Sequence, residues 1–131
     1  SIYYLNNGDI YNLQGKKFFV MGGAASHDKW CRKEHISWWK EEIPSVKMME
    51  HGLDNLEKNG NKVDYILTHC APTSIMTHYD PHGFYEADVL TDYLEEIDYK
   101  VDYEDWYHGH YHIDKDVDHI HGLYNRVIKI L

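Results

Sequence analysis

Ser45-Val46-Lys47-Met48-Met49-Glu50-His51-Gly52-Leu53-Asp54-Asn55-Leu56-Glu57-Lys58-Asn59-Gly60 runs into Val63-Asp64-Tyr65-Ile66-Leu67, and this junction decides the fold class. Val46, Met49, Leu53 and Leu56 recur at helical spacing, Ser45 supplies an N-cap and Asn59-Gly60 a stop. The short apolar run that follows reads as a strand, so helix and strand form an α/β crossover. Upstream, Phe18-Phe19-Val20-Met21 has no polar alternation and reads as a strand buried on both faces. Gly22-Gly23-Ala24-Ala25-Ser26 closes it without the spacing of a phosphate-binding loop.

Further toward the N-terminus, Ile2-Tyr3-Tyr4-Leu5 and Ile10-Tyr11-Asn12-Leu13 flank Asn6-Asn7-Gly8-Asp9, a hairpin signal; Gln14-Gly15-Lys16 then turns the chain again. Residues 33–42 are expected to form a short helix that Pro44 stops. Residues 71–85 read as a long Pro-, Thr-, His- and Gly-rich loop. Residues 88–97 place Val89, Leu90, Tyr93, Leu94 and Ile97 on one helical face. Strands are expected near 101–107, 117–120 and 126–131.

At 131 residues, with 43% hydrophobic and 15% aromatic content, residues 1–131 are expected to form a single domain with a folded core. The net charge of −9 disfavours coating nucleic acid or an anionic lipid surface, which needs clustered Lys and Arg. An enzyme acting on a small phosphate stays open, because bound divalent metal creates its own local positive field. Cys31 and Cys70 make neither a disulfide framework nor a CxxC site, so a reducing, cytoplasmic setting is expected. No run of about 18 apolar residues points to a membrane span, and no leader pattern opens the chain.

Trp106-Tyr107-His108-Gly109-His110-Tyr111-His112 carries the chemistry. In an extended backbone, positions i and i+2 share a face, so His110 and His112 are expected to enter one pocket. His69 stands in Thr68-His69-Cys70-Ala71-Pro72, where the 63–67 strand should end, and open α/β sheets bind ligands at such ends. Neutral imidazole is the commonest transition-metal ligand, which makes His69, His110 and His112 candidate ligands. His108, just before the glycine, reads as a packing or supporting residue. His78, His82, His119 and His121 sit in polar stretches and are expected at the surface; His27, His35 and His51 need no chemistry. Trp38-Trp39 and Met48-Met49 read as core or interface, and Arg32 is a candidate contact for substrate phosphate. No GxSxG elbow, HExxH or EF-hand loop is present. A Cys70 nucleophile beside His69 is disfavoured, because neighbours along a strand face opposite ways.

These residues resemble the calcineurin-like metallophosphoesterases. The match is to the later part of that family's pattern, a lone histidine after a strand (His69) followed downstream by G-H-x-H, here Gly109-His110-Tyr111-His112. Gly22-Gly23-Ala24-Ala25-Ser26-His27-Asp28-Lys29, with Trp38-Trp39-Lys40-Glu41-Glu42 after it, resembles a small bacterial and phage branch of the family, as does the closing Gly122-Leu123-Tyr124-Asn125-Arg126-Val127-Ile128. The resemblance implies an α/β sandwich of two mixed sheets with helices outside. It also implies phosphoester hydrolysis by two divalent ions, Mn, Fe, Zn or Ni, that clamp the phosphate and activate a water. Carried over, His69 and His110 would ligate one metal and His112 the other.

The family's early D-x-H, G-D-x-x-D and G-N-H-[DE] are missing upstream of His69. Gly8-Asp9-Ile10-Tyr11-Asn12 ends in Asn, Asp80-Pro81-His82 comes in the wrong order, and Asn59-Gly60-Asn61-Lys62 has no histidine. Three neutral imidazoles cannot screen two dications held ~4 Å apart, so a bridging carboxylate is required. The expectation is therefore a C-terminal portion of a phosphoesterase, with the general-acid histidine in the missing N-terminal part and little activity of its own. Such a half leaves sheet edges and apolar faces uncovered, and self-association or strand exchange follows. The competing reading is a non-catalytic binding or oligomerisation module with a structural metal or none.

Overall fold

The computed structural model describes residues 4–25 and 43–131. The expected helix at 33–42, the first arm of the expected hairpin at 2–3, Cys31, Arg32, Trp38-Trp39, His27 and His35 lie outside the described residues. Within them the chain is a mixed α/β fold: one six-stranded sheet and three helices. The strands are β1 (Ile10–Leu13), β2 (Lys16–Met21), β3 (Tyr65–Thr68), β4 (Asp105–His108), β5 (Lys115–Val117) and β6 (Ile120–Gly122). Their order across the sheet is β1-β2-β3-β4-β6-β5. β2, β3, β4 and β6 run parallel, and β1 and β5 flank them as antiparallel edges. The helix α1 (Val46–Lys58) leads into β3, and α2 (Thr73–Tyr79) with α3 (Val89–Lys100) connects β3 to β4.

Strand pleating sorts the sheet residues into two layers. Phe19, Ile66, Trp106 and Ile120 line up across β2, β3, β4 and β6, and all four are buried beneath Met49 and Leu56 of α1 and Leu90, Leu94 and Ile97 of α3. Phe18, Tyr65 and Tyr107 occupy the opposite face, where Leu67, Leu123, Ile128 and Ile130 pack on them. Among the described residues the helices therefore cover one side, and the other carries a thin aromatic layer under the C-terminal segment.

The α1 helix starts where Ser45 Oγ accepts the Met48 amide at 3.2 Å. It sits close to the sheet at Gly52, where an added Cβ would meet Tyr93 Oη, Phe19 Cζ at 3.2 Å and Met21 Cε at 3.3 Å. Val46, placed on the apolar stripe by spacing, is exposed instead, because the contact centres on Met49, Gly52 and Leu56. In α3, the Asp88 carboxylate accepts the Leu90 and Thr91 amides, and Thr91 returns a bond to the Asp88 amide.

Four sequence expectations change. The hairpin closes at Gln14-Gly15 (φ 52° and 80°), pairing β1 with β2, while Tyr4-Leu5 is not a strand. The Asn6–Asp9 turn instead docks on α1, with Gly8 so near that a Cβ would lie 2.9 Å from Met48 O. The stretch 71–85 is not all loop, since α2 occupies Thr73–Tyr79. Its first turn is tied to α3: Glu95 Oε1 accepts the Ser74 amide, and Asp92 accepts from the Thr73 hydroxyl. Where one strand was expected at 117–120, β5 and β6 form a hairpin. Residues 126–131 belong to no strand.

Candidate metal centre

The parallel strands end on one edge of the sheet, and the loops leaving β2, β3 and β4 meet there. The pairing continues past the assigned strands: the His69 amide donates to Met21 O at 3.3 Å, and the Gly109 amide to His69 O at 3.1 Å. Thr68 fixes the exit of β3, accepting the buried Trp106 Nε1–H at 2.7 Å and donating to Cys70 O. A cleft of about 580 Å³ opens beside His69, lined among others by Asn7, Gly22, Gly23 and Thr68.

After β4 the chain does not stay extended. His110 and His112 both adopt positive φ, 71° and 53°, and the Tyr111 amide donates to Gly109 O at 2.9 Å. That i→i+2 bond closes a tight turn on His110 in a backbone region that L residues rarely occupy, costing of order 1–3 kcal/mol. Extended-strand parity therefore does not place the two imidazoles, contrary to the sequence expectation. The turn swings His110 toward β3, sends Tyr111 into the core and leaves His112 outside.

His69 and His110 come together. Nε2 of His69 lies 3.1 Å from Nδ1 of His110, with the rings edge-on at 4.9 Å between centroids. A neutral pair at this distance shares one proton, the N–H of one ring donating to the other's lone pair. Desolvation, and then the neighbouring charge of His112, hold the His69 pKa below its ordinary value, which favours that neutral form. The same separation suits two adjacent ligands of one ion bound at ~2.0–2.1 Å.

His112 stacks on Tyr124 at 4.9 Å and 19°. Tyr124 is itself placed by Asp114, whose carboxylate accepts the amides of Tyr124, Asn125 and Arg126. No group of three or more His, Cys, Asp or Glu side chains able to hold a metal is present among the described residues. His69 and His110 thus form a hydrogen-bonded pair, while His112 is turned to a different partner.

His108 supports this fragment from below. It is buried; its Nδ1–H donates to Gly109 O at 2.9 Å, and its Nε2 accepts from Tyr79 Oη–H at 2.8 Å. Burial is the main cause that pushes its pKa down to about 4, so it stays neutral and donates in a fixed direction. Its burial fits the expected packing role.

His78, His82 and His119 are exposed, as expected. His121 is not: it lies between Asp105 (2.7 Å) and Asp116 (2.8 Å) and stacks on Tyr107. Its partners come from β4 and β5, so nothing in its own polar neighbourhood signalled the arrangement. Tyr111 reads in the sequence as a spacer between two histidines, yet it is buried in the core. Compared with protein-family models, curated proteins and solved structures, the chain matches none.

Proposed function

We propose that this chain is the C-terminal half of a calcineurin-like metallophosphoesterase, in which His69 and His110 ligate one divalent ion and His112 the other. The observation that carries the reading is the 3.1 Å contact between His69 and His110 at the carboxyl ends of adjacent parallel strands. The layering supports it too, since helices on one face and an aromatic layer thinly covered by the C-terminal segment on the other suit one sheet of a two-sheet sandwich. Mn, Fe, Zn or Ni would fit imidazole donors, and such an ion, when bound, supplies charge stabilisation and an acidified water for phosphoester hydrolysis. The chain's own contribution is to hold neutral imidazoles in place; the bridging carboxylate and the general-acid histidine belong to upstream polypeptide.

The test needs a polypeptide extended upstream of Ser1 that carries the D-x-H, G-D-x-x-D and G-N-H-[DE] segments. With Mn²⁺ it is expected to hydrolyse an aryl phosphate, and His110→Ala and His112→Ala each to lower turnover by ~100-fold or more. Wild-type turnover in both variants would remove the ligand assignment. An upstream frame without those segments would leave the binding-module reading, which the two-histidine fragment also accommodates.

A further inference from the structure

We propose that Tyr111 is the positioning residue of the histidine pair, acting through a buried hydrogen-bond relay that ties three strand-end loops into one unit. The inference rests on the reading of His69 and His110 as ligands, and it concerns how they are aimed.

The relay runs across the sheet edge. The Ala71 amide donates to Tyr111 Oη at 3.1 Å, tying the loop after β3 to the loop after β4. Cys70 is the chain neighbour of Ala71, so the peptide between them carries the tie onward. Cys70 Sγ–H then donates to Gly23 O at 3.4 Å, reaching the loop after β2. Tyr111, Cys70 and Ala71 are all buried, so the links are shielded from water.

A second observation makes this more than core packing. His110 holds a positive-φ turn that surrounding structure must stabilise, and Tyr111 is the residue closing that turn. Its ring is wedged against Tyr79, Tyr85 and His108 at centroid distances of 5.0–5.6 Å. The wedge fixes the ring and the hydroxyl fixes its depth relative to Ala71, two residues beyond His69. Distance between the two imidazoles is therefore set by the tyrosine hydroxyl.

Tyr111→Phe keeps the ring and removes only the relay. In the isolated chain, the Ala71 amide is expected to exchange ~10-fold faster or more, once its buried acceptor is gone. The NMR contact between the His69 and His110 ring protons should weaken, while a remote contact such as His51 to Asp9 stays. Co²⁺ affinity is expected to fall ~10-fold or more, with a changed d–d spectrum. Cys70→Ala, which removes the link to Gly23 but leaves the tyrosine, should move the ring contact the same way. Unchanged ring contact and cobalt spectrum in Tyr111→Phe overturn the inference; if that variant does not fold, an unchanged ring contact in Cys70→Ala does so. Absence of Co²⁺ binding in the wild type would instead defeat the ligand reading, with the ring contact and amide exchange still judging the tyrosine.

Discussion

Nε2 of His69 and Nδ1 of His110 meet at 3.1 Å although 41 positions separate them in the chain. The contact crosses from the end of β3 to the turn after β4, so it exists only when both loops are in place. It also divides the three candidate ligands unequally, because His112 is stacked on Tyr124. In titrations of the chain alone with Ni²⁺ or Zn²⁺, His69→Ala and His110→Ala are expected to weaken uptake by ~10-fold or more, about 1.4 kcal/mol. His112→Ala should stay within ~3-fold of wild type. Equal losses from all three substitutions would mean that the rings reorganise around one ion.

The opposite face of the sheet holds an imidazole in a different state. His121 donates from both ring nitrogens to Asp105 and Asp116, and Asp116 is also held by Arg126. Desolvation works against the charged ring, but the two carboxylates outweigh it and leave its pKa raised. Folding thus gains from the imidazolium below the ordinary value of about 6.5, and that gain is lost as pH rises through the folded pKa. His69 and His108, whose values are depressed, act in the other sense: their contribution is present above about 6.5 and lost on acidification. The difference between wild type and His121→Gln separates the two. The melting-temperature gap is expected to be largest near pH ~5.5 and to shrink toward pH ~9. A gap that stays constant across this range would mean that His121 is held as a neutral ring.

Sequence pattern found the elements that carry their own instructions. Val46–Lys58 has its cap, stripe and stop within one segment, and the Phe18–Met21 run is apolar on both pleats because both faces are covered. Elements that borrow from elsewhere were not legible. The α2 helix opens on acceptor carboxylates from α3, and the Pro-, Thr-, His- and Gly-rich stretch around it argues for loop. Residues 126–131 alternate like a strand, but no neighbouring strand pairs with them among the described residues. At the site, the strand-end position of His69 could be read from its neighbours. The positive φ of His110 and His112 could not, because it depends on Tyr111 being pulled inward.

Gly52 tests how tightly α1 is seated. Replacing a mid-helix glycine by alanine favours a free helix by ~1 kcal/mol. Here the added methyl would run into the Tyr93 hydroxyl, which donates to Met49 O at 2.8 Å, and into Phe19 and Met21. Overpacking of a full core costs ~1–3 kcal/mol, so Gly52→Ala is expected to lower unfolding free energy by about 1–2 kcal/mol. Asp54→Ala, on the exposed side of the same helix, should change it by less than ~0.5 kcal/mol in denaturant titration. A stabilised Gly52→Ala would show that the helix can lift off the sheet at little cost.

The C-terminal segment is the only cover over much of the second face among the described residues. Ile128 and Ile130 turn inward onto Phe18, Tyr65 and Tyr107, while Val127 between the strand end and Ile128 is 97% exposed. Among the described residues no backbone hydrogen bond joins 127–131 to the sheet, and Ile128 and Ile130 hold the segment there by side-chain contact. Burying a large aliphatic side chain fully is worth ~1.5–3 kcal/mol, and these two are only partly buried, so detachment is cheap. Deleting residues 127–131 would bare three aromatic rings in one contiguous layer, the kind of patch that drives association. The shortened chain is expected to bind a hydrophobic dye and to gain mass with concentration in sedimentation, while the His69–His110 ring contact on the far edge persists. If the deletion stays monomeric and dye-free, the aromatic face is self-sufficient, and the proposal that this layer awaits a second sheet loses its physical motive.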